Sequence, residues 1–257
     1  GDGYADLAVG APGSTGNTVY VYHSSSSGFG TRPSANSTIT DSSSELFGAA
    51  LALGDITGDG YADLAVGARS ATSSTGVVYV FHSTGSSGLT ATATGNANLT
   101  ITGEASGNEF GYTVALGDVN GDGFADLVVG APMANSVCSA TVPGRGYVFQ
   151  STGSKGLSSS SSITASSTTA TTEISGVSPD SFVLMGAMDV NGDGYADVLG
   201  GSGGADSAAG RGYVILSGGT AGIPSLTTDS GTPVPDSTIK GETAGDQFGF
   251  PQQQCVL

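Results

Sequence analysis

Apolar and small residues alternate along this chain in a pattern that returns in register. Between residues 49 and 53 the larger Leu51 and Leu53 share one side of an extended chain and Ala50 and Ala52 the other, a period of two that predicts a strand. Phe47-Gly48 opens that run. A similar run leads from Phe110-Gly111 to Leu116, and another from Phe182-Val183 to Met188, where the Gly is lost. A second apolar run follows each after nine or ten residues: Leu64-Ala-Val66-Gly-Ala68, Leu127-Val-Val129-Gly-Ala131 and a more degenerate Val198-Leu-Gly-Gly-Ser202, with Leu7-Ala-Val9-Gly-Ala11 as their counterpart near residue 1. A third run, at 19–22, 77–81, 146–149 and 212–216, is rich in β-branched and aromatic residues. A short fourth falls at Ser37-Thr-Ile39, Leu99-Thr-Ile101, Glu173-Ile174 and Thr238-Ile239. Gly and β-branched residues interrupt every stretch that might turn helical.

Each repeat is therefore expected to hold four strands in roughly 60 residues. Neither face of such a sheet suits water, and radial stacking of sheets about an axis covers both. The expected fold is all-β, a β-propeller of four-stranded antiparallel blades. The repeats run over 1–46 (partial), 47–109, 110–181 and 182–247 of one propeller region, and 248–257 either begins a further repeat or supplies a strand that closes the first. Residue 1 falls inside a motif, so a fragment of a larger ring is the favoured expectation. Residues 158–172, nearly all Ser, Thr and Ala, read as a mobile loop with no packed role.

The nine residues between the first two runs carry the candidate chemistry. They read Asp55-Ile-Thr57-Gly-Asp59-Gly-Tyr61-Ala-Asp63, Asp118-Val-Asn120-Gly-Asp122-Gly-Phe124-Ala-Asp126 and Asp189-Val-Asn191-Gly-Asp193-Gly-Tyr195-Ala-Asp197. Asp2 and Asp6 belong to the back half of a fourth copy. The Asp at position five recurs at Asp2, Asp59, Asp122 and Asp193, 57, 63 and 71 residues apart. Side-chain oxygens at positions one, three, five and nine, with the backbone carbonyl at position seven (Tyr61, Phe124, Tyr195), form an all-oxygen donor set. That set suits Ca²⁺, which takes six to eight hard ligands in flexible geometry. Three complete sites and a partial fourth are expected.

Charge narrows the partners. Six Lys and Arg against 22 Asp and Glu leave a net charge of −16, which argues against nucleic acid and against insertion at an anionic membrane surface. Two cysteines, Cys138 and Cys255, make no disulfide framework, and a bond between them stays open. His23 and His82 follow the third strand and read as exposed strand-end residues. Glu45, Glu104, Glu109, Glu173 and Glu242 mostly fall in the turns before each first strand, which suggests a turn role. No nucleophile–base set can be assembled, so the chain reads as no enzyme.

Phe110-Gly111, the Asp loop 118–126, Gly130-Ala131-Pro132 and the Gly-x-Val-Tyr-Val of residues 76–80 together resemble the FG-GAP repeats of integrin α-subunit propellers and their bacterial relatives. Arg69 in place of Pro, Val183 in place of Gly, and Gly201-Ser202 depart from that pattern. The resemblance implies a propeller, usually of seven blades, with calcium in some hairpin loops. It implies an extracellular, secreted or cell-surface location and a role in adhesion or surface recognition, with a protein or glycan ligand. The alternative is a non-catalytic accessory propeller of a secreted hydrolase, phospholipase- or glycan-active, whose catalytic domain lies outside this chain. A hydrolase in its own right is the weakest reading.

Overall fold

The computed structural model describes residues 3–13, 16–30, 33–43, 45–132, 143–154, 156–166, 168–177, 182–228 and 235–249. It is all-β, and its strands fall into four sheets that are the blades of a propeller. The first blade holds β1 (Leu7–Ala11), β2 (Asn17–Tyr22) and β3 (Ser37–Asp41). The second holds β4 (Ala50–Gly54), β5 (Asp63–Ala68), β6 (Val77–Phe81) and β7 (Leu99–Thr102). The third holds β8 (Thr113–Gly117), β9 (Asp126–Ala131) and β10 (Arg145–Phe149); a short β11 (Ser162–Thr164) precedes its outer strand β12 (Thr172–Ser175). The fourth holds β13 (Phe182–Met188), β14 (Asp197–Ser202) and β15 (Arg211–Ile215); β16 (Leu226–Thr227) precedes its outer strand β17 (Ser237–Lys240).

Within every blade neighbouring strands run antiparallel. The pair flanking the Asp loop keeps one register, with Gly54 opposite Asp63 and Gly117 opposite Asp126. In the fourth blade Met188 stands opposite Asp197, and the ladder slips between Leu184 and Gly186. That irregularity falls in the repeat whose Phe-Gly pair has become Phe182-Val183.

The cores sit between blades. Val19 and Ile39 of the first blade pack with Leu64 and Val66 of the second. Val78 and Ile101 of the second pack with Leu127 and Val129 of the third, and Val128 and Ile174 of the third pack with Val198 of the fourth. One face of the second and third sheets thus meets the blade before and the other the blade after, which is why both faces carry apolar residues. Small residues let the sheets close up. A Cβ on Gly67 would strike the Gly111 carbonyl, and Gly111 itself sits at φ +82°.

The Phe-Gly pair is a wedge between neighbours. Phe110 is fully buried and meets Tyr147 and Phe149 of its own blade edge-on, with ring centroids 5.5 and 6.3 Å away. Its backbone N–H donates to the Thr75 carbonyl of the blade before (3.1 Å). Phe248 repeats that backbone contact on the fourth blade, donating to Ala209 (3.0 Å), with Gly249 against Gly201. Phe248 and Gly249 therefore stand where a further blade's wedge would begin. Residues 250–257, with Cys255, and Cys138 lie outside the described residues.

The expectation of an unpacked 158–172 loop is overturned. β11 pairs in parallel with β7 of the preceding blade, Ala165 and Ala170 are buried in the core there, and Thr172 begins β12. The same connection in the fourth blade forms β16, parallel to β12, and in the second blade Ala93 bridges Thr40. In the second, third and fourth blades the strand-three-to-four connection is thus a strap that reaches back to the outer strand of the blade before. Ser162 and Thr164 serve here as strand residues and Ala165 and Ala170 as core residues, a use that composition alone does not reveal.

Candidate metal centre

The hairpin loops fold around their first and last aspartates. Asp55 accepts hydrogen bonds from the N–H groups of Gly58 (2.6 Å), Asp59 (3.1 Å) and Gly60 (2.8 Å). Asp118 and Asp189 hold the same three positions of their loops, at 2.6–3.2 Å. The position-five carboxylates of Asp59, Asp122 and Asp193 each accept from the position-seven N–H, of Tyr61, Phe124 and Tyr195 respectively (2.9–3.0 Å). These are Asx-type turns in which a side chain replaces the backbone partner that a tight loop lacks.

Position nine is a buried clamp. Asp63 accepts from the N–H groups of Ile56 and Thr57 on one oxygen and of Ser83 on the other, at 2.8–3.1 Å. Asp126 does so from Val119 and Ser151, and Asp197 from Val190 and Ser217 (2.7–3.0 Å). All three carboxylates are fully buried. Each ties the loop to the second residue after the third strand. In the partial first copy Asp6 accepts from Ser24 in the same way (2.9 Å); Asp2 lies outside the described residues.

Burial raises the pKa of Asp63, since desolvation outweighs the bonds from Ser83, Ile56 and Thr57. Asp126 is pushed up to about 6, by desolvation first, with the charges of Asp122 and Asp118 adding to it. Asp189 moves the other way: the Gly194 N–H, with those of Gly192, Asp193 and Asn191, holds its exposed carboxyl below the ordinary value.

At position three, Asn120 and Asn191 each hydrogen-bond the position-five aspartate through both amide atoms. Thr57 differs, for its buried hydroxyl oxygen has no hydrogen-bond partner. Among the described residues no three His, Cys, Asp or Glu side chains converge in a metal-holding group. The carboxylates turn instead onto loop amides. The donor chemistry is nonetheless that of a hard cation: oxygens only, several anionic, and one buried hydroxyl left over beside them.

The loops are also joined to one another, which sequence reasoning missed. The Ala125 N–H of the third blade donates to the Asp55 carbonyl of the second (2.8 Å), and Ala196 of the fourth to Asp118 of the third (2.7 Å). The Ser151 hydroxyl donates to the Ile56 carbonyl and that of Ser217 to Val119, both at 2.6 Å. The Phe124 ring lies over Gly58 and the Tyr195 ring over Gly121, so tightly that a Cβ on either Gly would enter the ring. One signal was present in the sequence: a Ser recurs two residues past the third strand's last aromatic or aliphatic position, at Ser24, Ser83, Ser151 and Ser217.

The histidines are half-buried rather than exposed. His82 stands 3.1 Å from where a Cβ on Gly156 would lie, and His23 meets Gly88, so both fill the joint with the next blade's strap. Glu109 pairs with Arg69 (3.5 Å), and Arg145 lies between Glu104 and Glu173.

A family model for the FG-GAP repeat matches residues 1–22, 47–81, 110–149 and 183–216, just over half of the chain. The chain belongs to the FG-GAP repeat family. Those four segments are the Phe-Gly wedge where present, the Asp-loop hairpin and the third strand of each blade. Among curated relatives, human integrin alpha-IIb is 32% identical over 222 residues, covering 82% of this chain and 20% of that protein. Phosphatidylinositol-glycan-specific phospholipase D of Bos taurus is 33% identical over 159 residues, 52% of this chain and 17% of that protein. Integrin alpha-V of Gallus gallus is 35% identical over 103 residues, 40% and 9% respectively. The chain spans about a fifth or less of the length of these relatives, so what is common is the FG-GAP propeller. Among the described residues no helix is long and apolar enough to cross a membrane.

Proposed function

We propose that this chain is a calcium-stabilised, non-catalytic FG-GAP propeller module of an extracellular or cell-surface protein, acting in adhesion or surface recognition. Three ions are assigned: to Asp55, Thr57, Asp59, the Tyr61 carbonyl and Asp63; to Asp118, Asn120, Asp122, the Phe124 carbonyl and Asp126; and to Asp189, Asn191, Asp193, the Tyr195 carbonyl and Asp197. A bound ion neutralises the carboxylates each loop crowds together and fixes the hairpin. The observation that carries the reading is the recurrence of one loop framework, atom for atom in its Asp–amide bonds, at three blade tips of a chain that resembles integrin alpha-IIb over most of its length. A protein or glycan ligand on the variable loops is the partner proposed.

Titration calorimetry of the metal-stripped chain with CaCl₂ tests the metal. Binding at three sites, with weak competition from Mg²⁺, is expected, because Mg²⁺ demands octahedral geometry and holds its waters. No heat and no spectral change at millimolar calcium would refute the assignment. The phospholipase D relative supports a second reading, that the propeller serves as an accessory to a secreted hydrolase. A catalytic domain in the same polypeptide would favour it.

A further inference from the structure

Asn36-Ser37-Thr38 and Asn98-Leu99-Thr100 each set an Asn two residues before a Thr, with no Pro between. That spacing is the acceptor pattern for N-linked glycosylation, which needs the amide on an exposed segment of a secreted chain. The two copies hold one place in the fold. Each Asn immediately precedes the outer strand of its blade, β3 or β7. Both are exposed. Their backbone N–H groups donate to the Val21 carbonyl of β2 and the Val80 carbonyl of β6, each at 2.8 Å.

The side-chain amides are held by one atom and free at the other. Oδ1 of Asn36 accepts from the His23 N–H and Oδ1 of Asn98 from the His82 N–H, both at 2.8 Å. Only the amide oxygen can accept, so these bonds leave Nδ2 to solvent. No hydrogen bond from either Nδ2 is seen among the described residues. The capping bond does not itself call for Asn. At the matching positions of the third and fourth blades, the Thr171 hydroxyl oxygen accepts from Gln150 (3.0 Å) and an Asp236 carboxylate oxygen from Leu216 (2.7 Å). The third blade lacks both the amide and the later hydroxyl, since Glu173 stands two residues on. The fourth has Thr238 there and lacks only the amide.

We propose that Asn36 and Asn98 are N-glycosylated, a proposal that rests on the extracellular location put forward above. Nδ2 attacks the anomeric carbon of an oligosaccharide carried on a polyprenyl diphosphate. A C–N bond forms, the C–O bond to the diphosphate breaks, the polyprenyl diphosphate leaves with the electron pair, and the nitrogen gives up one proton. Oδ1 takes no part, so the cap on His23 or His82 survives in the folded glycoprotein. Both glycans stand at the Asp-loop end of their blades, because the residue after each capped His, Ser24 or Ser83, donates its N–H to the position-nine Asp6 or Asp63.

The 257-residue chain, sent through a eukaryotic secretory pathway by an added leader, tests the sites. Peptide N-glycosidase converts a glycosylated Asn to Asp, and peptide mass spectrometry is expected to find that change at residues 36 and 98. Thr38→Ala and Thr100→Ala leave both Asn caps in place and should each lose one glycan, one step in gel mobility. Asp236→Asn, ahead of Ser237-Thr238, is expected to add a third. Peptides are read from cell lysate as well as medium, so a variant that folds poorly still reports. Bare Asn36 and Asn98, glycan that survives Thr38→Ala and Thr100→Ala, or no gain in Asp236→Asn would each overturn the proposal. Bare asparagines on the chain from its own cells, beside filled sites on the leader-directed chain, would instead overturn the extracellular location, and the proposal with it.

Discussion

Asp126 has its carboxyl sealed from water, with two further aspartates in the same loop. Its pKa, about 6, lies above that of a free Asp, so the folded state without metal holds this proton more tightly than the unfolded chain does. The resulting stability is fully present below about pH 4 and is lost as pH rises through about 6. Asp63 shifts in the same direction. The calcium-free protein is thus expected to melt at a lower temperature at pH 7 than at pH 5, and Asp126→Asn to flatten that dependence; scanning calorimetry in chelator reads both. Asp189, held below the ordinary value, acts only in more acidic solution. The glycines separate backbone from packing. Gly58 (φ +72°) lies beneath the Phe124 ring, while Gly60 (φ +84°) has open space around it. Gly60→Ala is expected to cost about 1 kcal/mol of backbone strain, and Gly58→Ala about 2–3 kcal/mol because the ring must move as well. Equal losses in urea titrations would show that the ring contact contributes nothing.

Strands were legible in the sequence because each must satisfy neighbours on both faces, which writes apolar residues at period two and repeats them blade by blade. The hairpin loop was legible for a similar reason: its Asp residues replace backbone partners at fixed positions. The straps were not legible. β11 is three residues of Ser, Ile and Thr, and its pairing with β7 depends on the neighbouring blade and not on its own pattern. Nor were the joint bonds, since Ser151 and Ile56 lie 95 residues apart. That bond is buried, so Ser151→Ala is expected to destabilise the chain by about 1–2 kcal/mol. Ser24→Ala, at the matching position of the first blade, where no partner of the hydroxyl is seen among the described residues, should leave the melting temperature unchanged. A loss as large at Ser24 would mean that these serines act within their own blades.

At the scale of the whole molecule the loops and the joints are one system. The carbonyl that accepts the next blade's N–H belongs to the residue that also opens the Asp loop, Asp55 or Asp118. The ion proposed for the loop would therefore fix the joint too, and its removal is expected to loosen the contact between blades as well as a hairpin. An ion that binds only the folded state adds about 2.7 kcal/mol per site at a concentration one hundred times its Kd. Chelation is accordingly expected to lower the melting temperature markedly, and Asp122→Ala to remove one ion and part of that gain. Because the Asp118 carbonyl accepts from Ala196 across the joint, the same substitution should also raise amide exchange at Ala196 in the fourth blade. Hydrogen exchange followed by mass spectrometry, with and without calcium, tests the link. If the calcium-loaded and chelated proteins melt together, the loops are ordinary Asp-Gly turns; if they melt apart but exchange at residues 189–197 is blind to Asp122→Ala, the metal stabilises single hairpins and the joints hold independently of it.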